Sequence, residues 1–126
     1  MTNLKHLLPG PDHPISIQAN PNHVIARYHD RVVADTHHAM TLKEASYPPV
    51  QYVPREDADL TVMRPTDHHT HCPYKGDASY HSIVTPDSEA DNAVWSYEEP
   101  YEVAKPIQGY FAFYPDVVEI TEHPVQ

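Results

Sequence analysis

Apolar and polar residues alternate along short stretches of the chain, and prolines separate these stretches. Val, Ile, Tyr, Thr and Phe recur with a spacing near two residues, which is typical of β-strands. The 14 prolines keep the stretches short. Residues 29–31 suit a tight hairpin turn because Asp30 tolerates left-handed backbone, and short connections favour antiparallel pairing. The pattern predicts a mainly β fold with strands at 15–18, 23–29, 32–36, 50–53, 77–84, 92–98, 110–114 and 117–121.

Residues 39–45 satisfy two patterns at once. They contain good helix formers, and Thr41 with Glu44 three residues later has the spacing of a capping box. Met40, Leu42 and Glu44 also alternate as they would in a strand. We predict a strand here.

One short helix is predicted at residues 54–63. The stretch begins with proline, which suits the first turn of a helix. It then places Glu56, Asp57 and Asp59 where the helix dipole favours negative charge.

Length and composition limit the classes of protein to consider. A chain of 126 residues with 40% hydrophobic content suits one core, so we predict a single domain over residues 1–126. The formal net charge is -10, with 8 Lys and Arg against 18 Asp and Glu, so no basic stripe is available for a nucleic acid backbone. We expect no nucleic acid partner.

Targeting signals and cysteine content bear on the compartment. The N-terminal stretch has no apolar run of signal-peptide length, and no later stretch approaches the ~20 apolar residues of a membrane span. The single cysteine excludes an intrachain disulfide and fits a reducing compartment. We expect a cytoplasmic protein with no membrane partner.

A histidine-rich run is the candidate for metal chemistry. In an extended chain His69 and His71 point to one side, while His68 and Cys72 point to the other. A tetrahedral zinc site would therefore need further ligands from elsewhere, such as His37, His38 or His81. Because no CxxC pair or HExxH motif supplies them, we predict no metal and no cofactor. Solvated histidines on a loop are the favoured interpretation, and a His/Cys zinc protein is the weaker alternative.

Cys72 is also the candidate nucleophile. Its neighbour His71 would face away from it in a strand, and a catalytic cysteine normally takes its base from elsewhere in the fold. Lys75 is the one nearby positive group that could lower the thiol pKa. A small buried hydrophobic side chain is the favoured interpretation.

Six stretches occur in an order that resembles a known family. They are GPDHPISI near the start, then VVADT, YPPVQYVPRED, THCPYKGDASY, AVWSYEEP and IQGYFAFYPDVVEI. The order is similar to that of the Domain of Unknown Function 427 family. The resemblance covers the chain from about Gly10 to Ile120.

The resemblance implies a β-tent fold, in which two roughly orthogonal antiparallel sheets surround a central pocket, and an undefined biochemical activity. The family has also carried a nucleotidyltransferase label. The sequence does not support that label, because Asp57 and Asp59 lack the Gly-Ser turn that should precede paired metal-binding aspartates. Many β-tent relatives hold zinc on two CxxC pairs, whereas this chain has one cysteine. Structural zinc is therefore not implied.

Residues that match the family pattern are spread over the chain: Asp35, Glu44, Pro49, Tyr52, Pro54, Arg55, Asp57, Cys72, Pro73, Lys75, Gly76, Tyr80, Trp95, Tyr97 and Tyr114. Strand alternation places Gly76, Ala78 and Tyr80 on one face, and it places Ala93, Trp95 and Tyr97 on one face of another strand. Small residues that lead to aromatic ones would leave room for a guest. Simple core packing is the competing interpretation.

A small-molecule-binding domain with an aromatic, partly charged central pocket is the predicted function. Stacking surface would come from the aromatic candidates Tyr80, Trp95 and Tyr97. Lys75 or Arg55 would hold an anionic group of the ligand. In this hypothesis residues 72–76 form a proline turn that presents Lys75 as a surface group at the pocket rim. A solvated surface position or a structural ion pair would account equally well for the charged side chains.

Two alternatives stay open, so the sequence leaves enzymatic activity undecided. In an enzyme, Glu44 and Lys75 would be acid and base and Tyr80 a hydroxyl donor, with pKa values that burial moves toward neutrality. A contact between Glu44 and Lys75 inside a concave site would favour this hypothesis. In a structural or interaction protein, strand 110–114 would form an exposed edge through which the chain makes a homo-oligomer.

Overall fold

The structure, a computed structural model, describes residues 6–125. The expectation that the N-terminal stretch holds no signal peptide falls partly on residues 1–5, which lie outside the described residues. Ten strands make up most of the regular structure: β1 (Ile15–Asn20), β2 (His23–Tyr28), β3 (Arg31–Thr36), β4 (Ala39–Glu44), β5 (Val50–Tyr52), β6 (Met63–Cys72), β7 (Gly76–Val84), β8 (Glu89–Ser96), β9 (Ala112–Phe113) and β10 (Glu119–His123). The predicted mainly β fold is confirmed.

The strands form three antiparallel sheets, whereas the resemblance implies two. Sheet A has the order β1-β4-β5, sheet B the order β10-β2-β3, and sheet C the order β6-β7-β8-β9. In sheet B, Tyr28 pairs with Arg31 across a two-residue turn in which His29 and Asp30 have φ values of 48° and 66°. Two successive left-handed residues define a type I′ hairpin, so the left-handed Asp30 expected from the sequence is confirmed.

The two ambiguous stretches resolve differently. Residues 39–45 contain strand β4, as predicted. The predicted helix at 54–63 is instead two 3₁₀ turns, Arg55–Asp57 and Leu60–Val62. The chain between them is extended because Ala58 bridges to Ala34 and the Asp59 N–H donates to Val33 O. Pairing with β3 therefore overrides the helix-favouring charge pattern.

Strand β6 contains the histidine-rich run, which the sequence analysis expected to be a loop. It pairs with β7 along one edge of sheet C, and all ten of its residues are exposed or half-buried. An exposed edge strand needs no apolar alternation, so the hydrophobic pattern could not detect it. A further 3₁₀ segment, Glu102–Ile107, is fixed by the fully buried Ala104 and Ile107.

Buried side chains form two clusters. The first lies between sheets B and C and includes Val33, Ile83, Val94 and Phe111. The second lies between sheets A and C and contains several aromatic residues: Leu42, Tyr52, Ala78, Tyr80, Tyr97, Ala104, Ile107 and Ala112. Helical segments among residues 6–125 are all too short or too polar to cross a membrane.

Candidate functional site

A cavity of about 280 Å³ lies against the second cluster. Sheet A supplies Leu42, Glu44, Val50 and Tyr52 to its wall, sheet C supplies Tyr80 and Trp95, and the connecting segments supply Tyr47, Pro48, Lys75, Tyr97 and Tyr114. Tyr47 and Tyr114 are 64% and 39% exposed, so they stand at the mouth. Because a water molecule takes about 30 Å³ in the liquid, the cavity has the volume of about nine waters. One aromatic ring with a small substituent would fit.

Strand alternation aims the aromatic side chains at this cavity. On β7, Ala78 and Tyr80 are 2% and 5% exposed, while the intervening Ser79 faces the other way. Tyr80 is paired directly with Trp95 of β8. Tyr97 follows Trp95 by two residues and lines the same cavity. Tyr80, Trp95 and Tyr97 therefore share the cavity wall as predicted, whereas Ala93 packs in the first cluster instead.

Trp95 belongs to the cavity wall. It is half-buried, and its Nε1–H donates to the Tyr52 hydroxyl at 3.1 Å. The Trp95 ring lies edge-on to Tyr52, with 6.3 Å between centroids, and 4.7 Å from the ring of Tyr114. A hydrogen bond and two ring contacts thus fix one stacking surface.

Lys75 and Glu44 form an ion pair in the same cavity. The Lys75 Nζ donates to Glu44 Oε1 at 2.5 Å, and their side chains are only 11% and 12% exposed. The Nζ also lies 5.7 Å from the centroid of the Tyr97 ring. The expectation that Lys75 is a surface group is wrong, because the end of β4 faces the β6–β7 turn and draws the ammonium inward.

The turn that carries Lys75 is held on both sides. Cys72 pairs with Gly76, so residues 73–75 close the β6–β7 hairpin. Gly76 has a φ of +112°, and a Cβ there would lie 3.4 Å from Pro100 Cα. The Lys75 carbonyl accepts from the Tyr101 N–H at 2.9 Å. The turn therefore launches a strand that lines the cavity, as the sequence predicts.

His13 is a site residue that the sequence analysis missed. Its Nε2 lies 2.7 Å from Glu44 Oε2, and its ring stacks on Tyr74 with 3.9 Å between centroids. Since Oε1 already accepts from Lys75, each oxygen of Glu44 has one partner. The GPDHP motif was a signal for His13, but no pattern in the sequence indicates which strand this turn would contact.

Hydrogen bonding determines the charge state of Glu44. Burial alone would raise the pKa of this carboxyl group, but the hydrogen bonds from Lys75 and His13, together with the positive charge of Lys75, outweigh burial and lower the pKa. The carboxylate is therefore ionised at neutral pH. This direction is opposite to the shift that the enzyme hypothesis expected for Glu44.

Tyrosine hydroxyls form a second polar group in the wall. The Tyr80 hydroxyl lies 2.9 Å from Thr70 Oγ1 and 3.3 Å from the hydroxyl of Tyr114. Burial, together with the hydrogen bond to Tyr80, raises the pKa of Tyr114 to about 12. Tyr52 and Tyr114 match the family pattern but were not among the predicted site residues.

Tyr52 and Tyr97 are more deeply placed. They are 1% and 6% exposed, and burial raises the pKa of both hydroxyls well above its usual value. Both therefore stay neutral at any physiological pH. They can donate hydrogen bonds but do not supply negative charge.

Arg55 lies outside the cavity. Its Nε donates to Gly109 O at 3.0 Å, and an Nη2 group donates to Ser96 Oγ and to Glu98 Oε1 at 3.2 and 2.5 Å. The guanidinium group lies 4.3 Å from the centroid of the Phe111 ring. The structure therefore does not bring Arg55 to the other predicted ligand-binding residues. It matches the ion-pair alternative.

The histidine-rich run diverges as expected for a strand. His68 contacts the Tyr80 ring at 4.5 Å, and Cys72 packs against the second cluster. His71 faces the other way, where its Nδ1 lies 2.6 Å from Asp77 Oδ1. Within the described range, 6–125, no three His, Cys, Asp or Glu side chains are grouped so that they could hold a metal ion. Cys72 does not line the cavity.

Comparison with known proteins gives one family match. A family model described as "Domain of unknown function (DUF427)" matches residues 16–123. None of the curated proteins matches the chain. The matched range includes all the cavity residues named above, and His13 lies just before it.

Proposed function

We propose, from the premise that this chain belongs to the Domain of unknown function 427 family, that its central cavity binds a small molecule. One observation carries the proposal: Glu44, Lys75, Tyr80, Trp95 and Tyr97, which the sequence singles out, line a single cavity of about 280 Å³. Ligand sites combine aromatic walls with a few polar groups, and this cavity joins the Trp95 ring to the Lys75–Glu44 pair. That combination supports a ligand site better than it supports simple packing.

The chemistry of the wall suits a small planar ligand. Ligand sites are mostly apolar and aromatic, with a few placed polar groups that fix orientation. Here Trp95 and Tyr80 provide ring surface, while the Lys75–Glu44 pair provides the polar side. Tyr47 and Tyr114 border the mouth, through which a ligand would enter between sheets A and C.

Catalysis is a second candidate function, favoured by a specific contact. Lys75 and Glu44 are within hydrogen-bond distance inside a concave site, and His13 approaches Glu44 from behind. The ionised Glu44 carboxylate would accept a proton from a bound ligand, while the hydrogen bonds from Lys75 and His13 hold it in place. In that case a Glu44→Gln variant should still bind a substrate but should no longer convert it, and equal turnover by both proteins would exclude the role.

The interaction hypothesis receives less support. In the stretch 110–114, which that hypothesis uses, Phe111 and Ala112 are 0% exposed and Phe113 is 4% exposed. These three side chains point into the core. The backbone of Phe111 exchanges two hydrogen bonds of 2.8 Å with Val53. A strand that is covered and paired in this way offers little for a second copy of the chain.

A cavity-filling variant tests the proposed function. Val50 lines the cavity, whereas Val32 is an exposed strand residue in sheet B that does not. We expect aromatic fragments that bind the wild-type protein in ligand-observed NMR to lose binding in Val50→Trp and to keep it in Val32→Trp. Fragments that bind both variants equally would place binding outside the cavity. If a broad aromatic library gave no binder at millimolar concentration, the proposal would be wrong.

A further inference from the structure

Several hydrogen-bond donors at the cavity have no acceptor among the described residues. Tyr97 is the clearest case, because it is 6% exposed and lines the cavity, yet its hydroxyl makes no hydrogen bond to any residue in the range 6–125. The hydroxyl opens onto the cavity, because among the described residues the buried side-chain polar atoms without a partner do not include it. A ligand atom in the cavity can therefore accept its hydrogen bond.

Tyr52 adds a second donor. Its hydroxyl accepts from Trp95 Nε1 at 3.1 Å, so the oxygen has a partner, but its own proton has no acceptor among the described residues. The side chain is 1% exposed and also lines the cavity. Two hydroxyl protons at the cavity, on Tyr52 and Tyr97, therefore have no acceptor among the described residues.

The ion pair adds further donors at the same cavity. A lysine ammonium has three N–H donors, and Lys75 uses one of them, on Glu44, within the described residues. Each oxygen of Glu44 already accepts one hydrogen bond, from Lys75 or from His13. The charged side of the cavity thus offers spare N–H donors beside a carboxylate that already has a partner on each oxygen.

We infer that the ligand is a neutral planar molecule with a carbonyl oxygen, which accepts hydrogen bonds from Tyr97 and from Lys75 or Tyr52. This inference rests on the proposed function and names its ligand class. A neutral carbonyl is favoured over a carboxylate because Glu44 lines the same wall and cancels the charge of Lys75. An anion would leave water for a site without net positive charge and would meet the Glu44 carboxylate at short range.

Three probes of nearly equal shape separate the possibilities. Acetophenone offers a neutral carbonyl, benzoate offers the same ring with a negative acceptor, and benzylamine offers a cationic donor. Because the chain has one tryptophan, the indole N–H of Trp95 gives one resonance in a nitrogen-edited NMR spectrum. Titration of that resonance reports binding at the cavity wall. We expect acetophenone to bind most tightly and benzylamine to bind most weakly.

Tyr97→Phe tests the orphan hydroxyl without removing its ring. The loss of one hydrogen bond should weaken acetophenone about tenfold. Tyr110→Phe is the matched control, because Tyr110 is also a partly buried tyrosine but does not line the cavity, and it should change the affinity less than twofold. Folding of both variants is checked by the dispersion of their amide spectra.

The outcomes separate this inference from the proposed function. If benzoate binds more tightly than acetophenone, or if Tyr97→Phe binds acetophenone as the wild type does, the carbonyl inference is wrong while a ligand site remains. If none of the three probes moves the Trp95 resonance at millimolar concentration, the carbonyl inference is also wrong. The broader fragment library then decides the proposed function by itself.

Discussion

Lys75 and Glu44 are 31 positions apart in the chain, yet the Lys75 Nζ lies 2.5 Å from Glu44 Oε1. One residue ends strand β4 and the other lies in the β6–β7 turn, so the pair joins sheets A and C at the cavity. Each side chain is nearly nine-tenths buried. A buried charge that loses its partner is costly, because the remaining charge stays away from water.

Removal of the lysine should therefore destabilise the protein. We expect Lys75→Met to lower the free energy of unfolding by about 1 to 3 kcal/mol, since Glu44 loses a charged hydrogen bond. Lys43→Met is the matched control, because Lys43 is exposed on the same strand β4, and it should change stability by less than about 0.5 kcal/mol. Urea denaturation measures both. Equal stability of the two variants would show that the ion pair contributes nothing.

Acid should weaken the same contact. Because the pKa of Glu44 is lowered in the folded protein from its ordinary value of 4.5, the stability that the carboxylate contributes is fully present above pH 4.5 and is lost as the pH falls through the folded value. Between these values the unfolded chain binds more protons, so acid favours unfolding.

Glu44→Gln removes the titrating group and should flatten the dependence of stability on pH below 4.5. Glu119→Gln is the control, because Glu119 is exposed on β10. Urea titrations from pH 3 to pH 7 compare the two variants with the wild type. If Glu44→Gln and the wild type lose stability in parallel, the carboxylate does not account for the acid sensitivity.

The glycine at the start of β7 should be difficult to replace. Gly76 has a φ of +112° and a Cβ would meet Pro100 Cα at 3.4 Å, so Gly76→Ala should cost about 1 to 3 kcal/mol through backbone strain. Gly10 has neither feature, and Gly10→Ala should be close to neutral. Gly109, with a φ of +77° but open space around it, should fall between them. Thermal unfolding would contradict this account if all three variants melted together.

Local patterns account for the parts of the fold that the sequence predicted. Strand β7 alternates, with Ala78, Tyr80 and Ser82 buried and the residues between them more exposed, and alternation is visible in the sequence. Strand β6 is exposed, so its hydrogen bonds to β7 leave no apolar signal. The predicted helix at 54–63 does not form because its backbone pairs with strand β3. That pairing also leaves no signal in the local sequence.

The candidate site was predictable in composition but not in its pairings. Tyr80, Trp95 and Tyr97 follow from strand alternation, and all three line the cavity. The sequence does not indicate that Lys75 pairs with Glu44 while Arg55 pairs with Glu98. Both are single positive residues, and only the fold determines which carboxylate each one contacts. The position of His13 behind Glu44 likewise depends on contacts between residues far apart in the chain.

His81 should make stability depend on pH near neutrality. Its Nδ1 is buried without a hydrogen-bond partner among residues 6–125. Burial, with the nearby positive charge of Arg55, lowers the pKa of His81 from its ordinary value of 6.5. The folded protein therefore binds fewer protons than the unfolded chain below pH 6.5, so the contribution of neutral His81 is lost as the pH falls toward the lowered value.

Replacement of His81 should remove part of that dependence. We expect His81→Leu to lose less stability than the wild type between pH 7 and pH 5, measured by urea denaturation at each pH. His38→Leu replaces an exposed histidine and should retain the wild-type slope. The same slope in all three proteins would mean that His81 is protonated as easily in the folded chain as in the unfolded one.

Trp95 should matter more for binding than for stability. A fully buried Trp or Phe costs about 3 to 5 kcal/mol when it is replaced by Ala, but Trp95 is half-buried and faces an existing cavity. Trp95→Ala should therefore cost less than that range, and it should abolish the binding of any ring that stacks on the indole. Ile83 lies in the first cluster and is 0% exposed, so Ile83→Ala should cost about 2 to 5 kcal/mol and leave binding intact. Chemical denaturation and ligand-observed NMR with acetophenone measure the two effects separately. Trp95→Ala could instead destabilise the chain as much as Ile83→Ala and still bind acetophenone as the wild type does. Trp95 would then be a core residue, and it would not be the stacking surface for a ligand in the cavity.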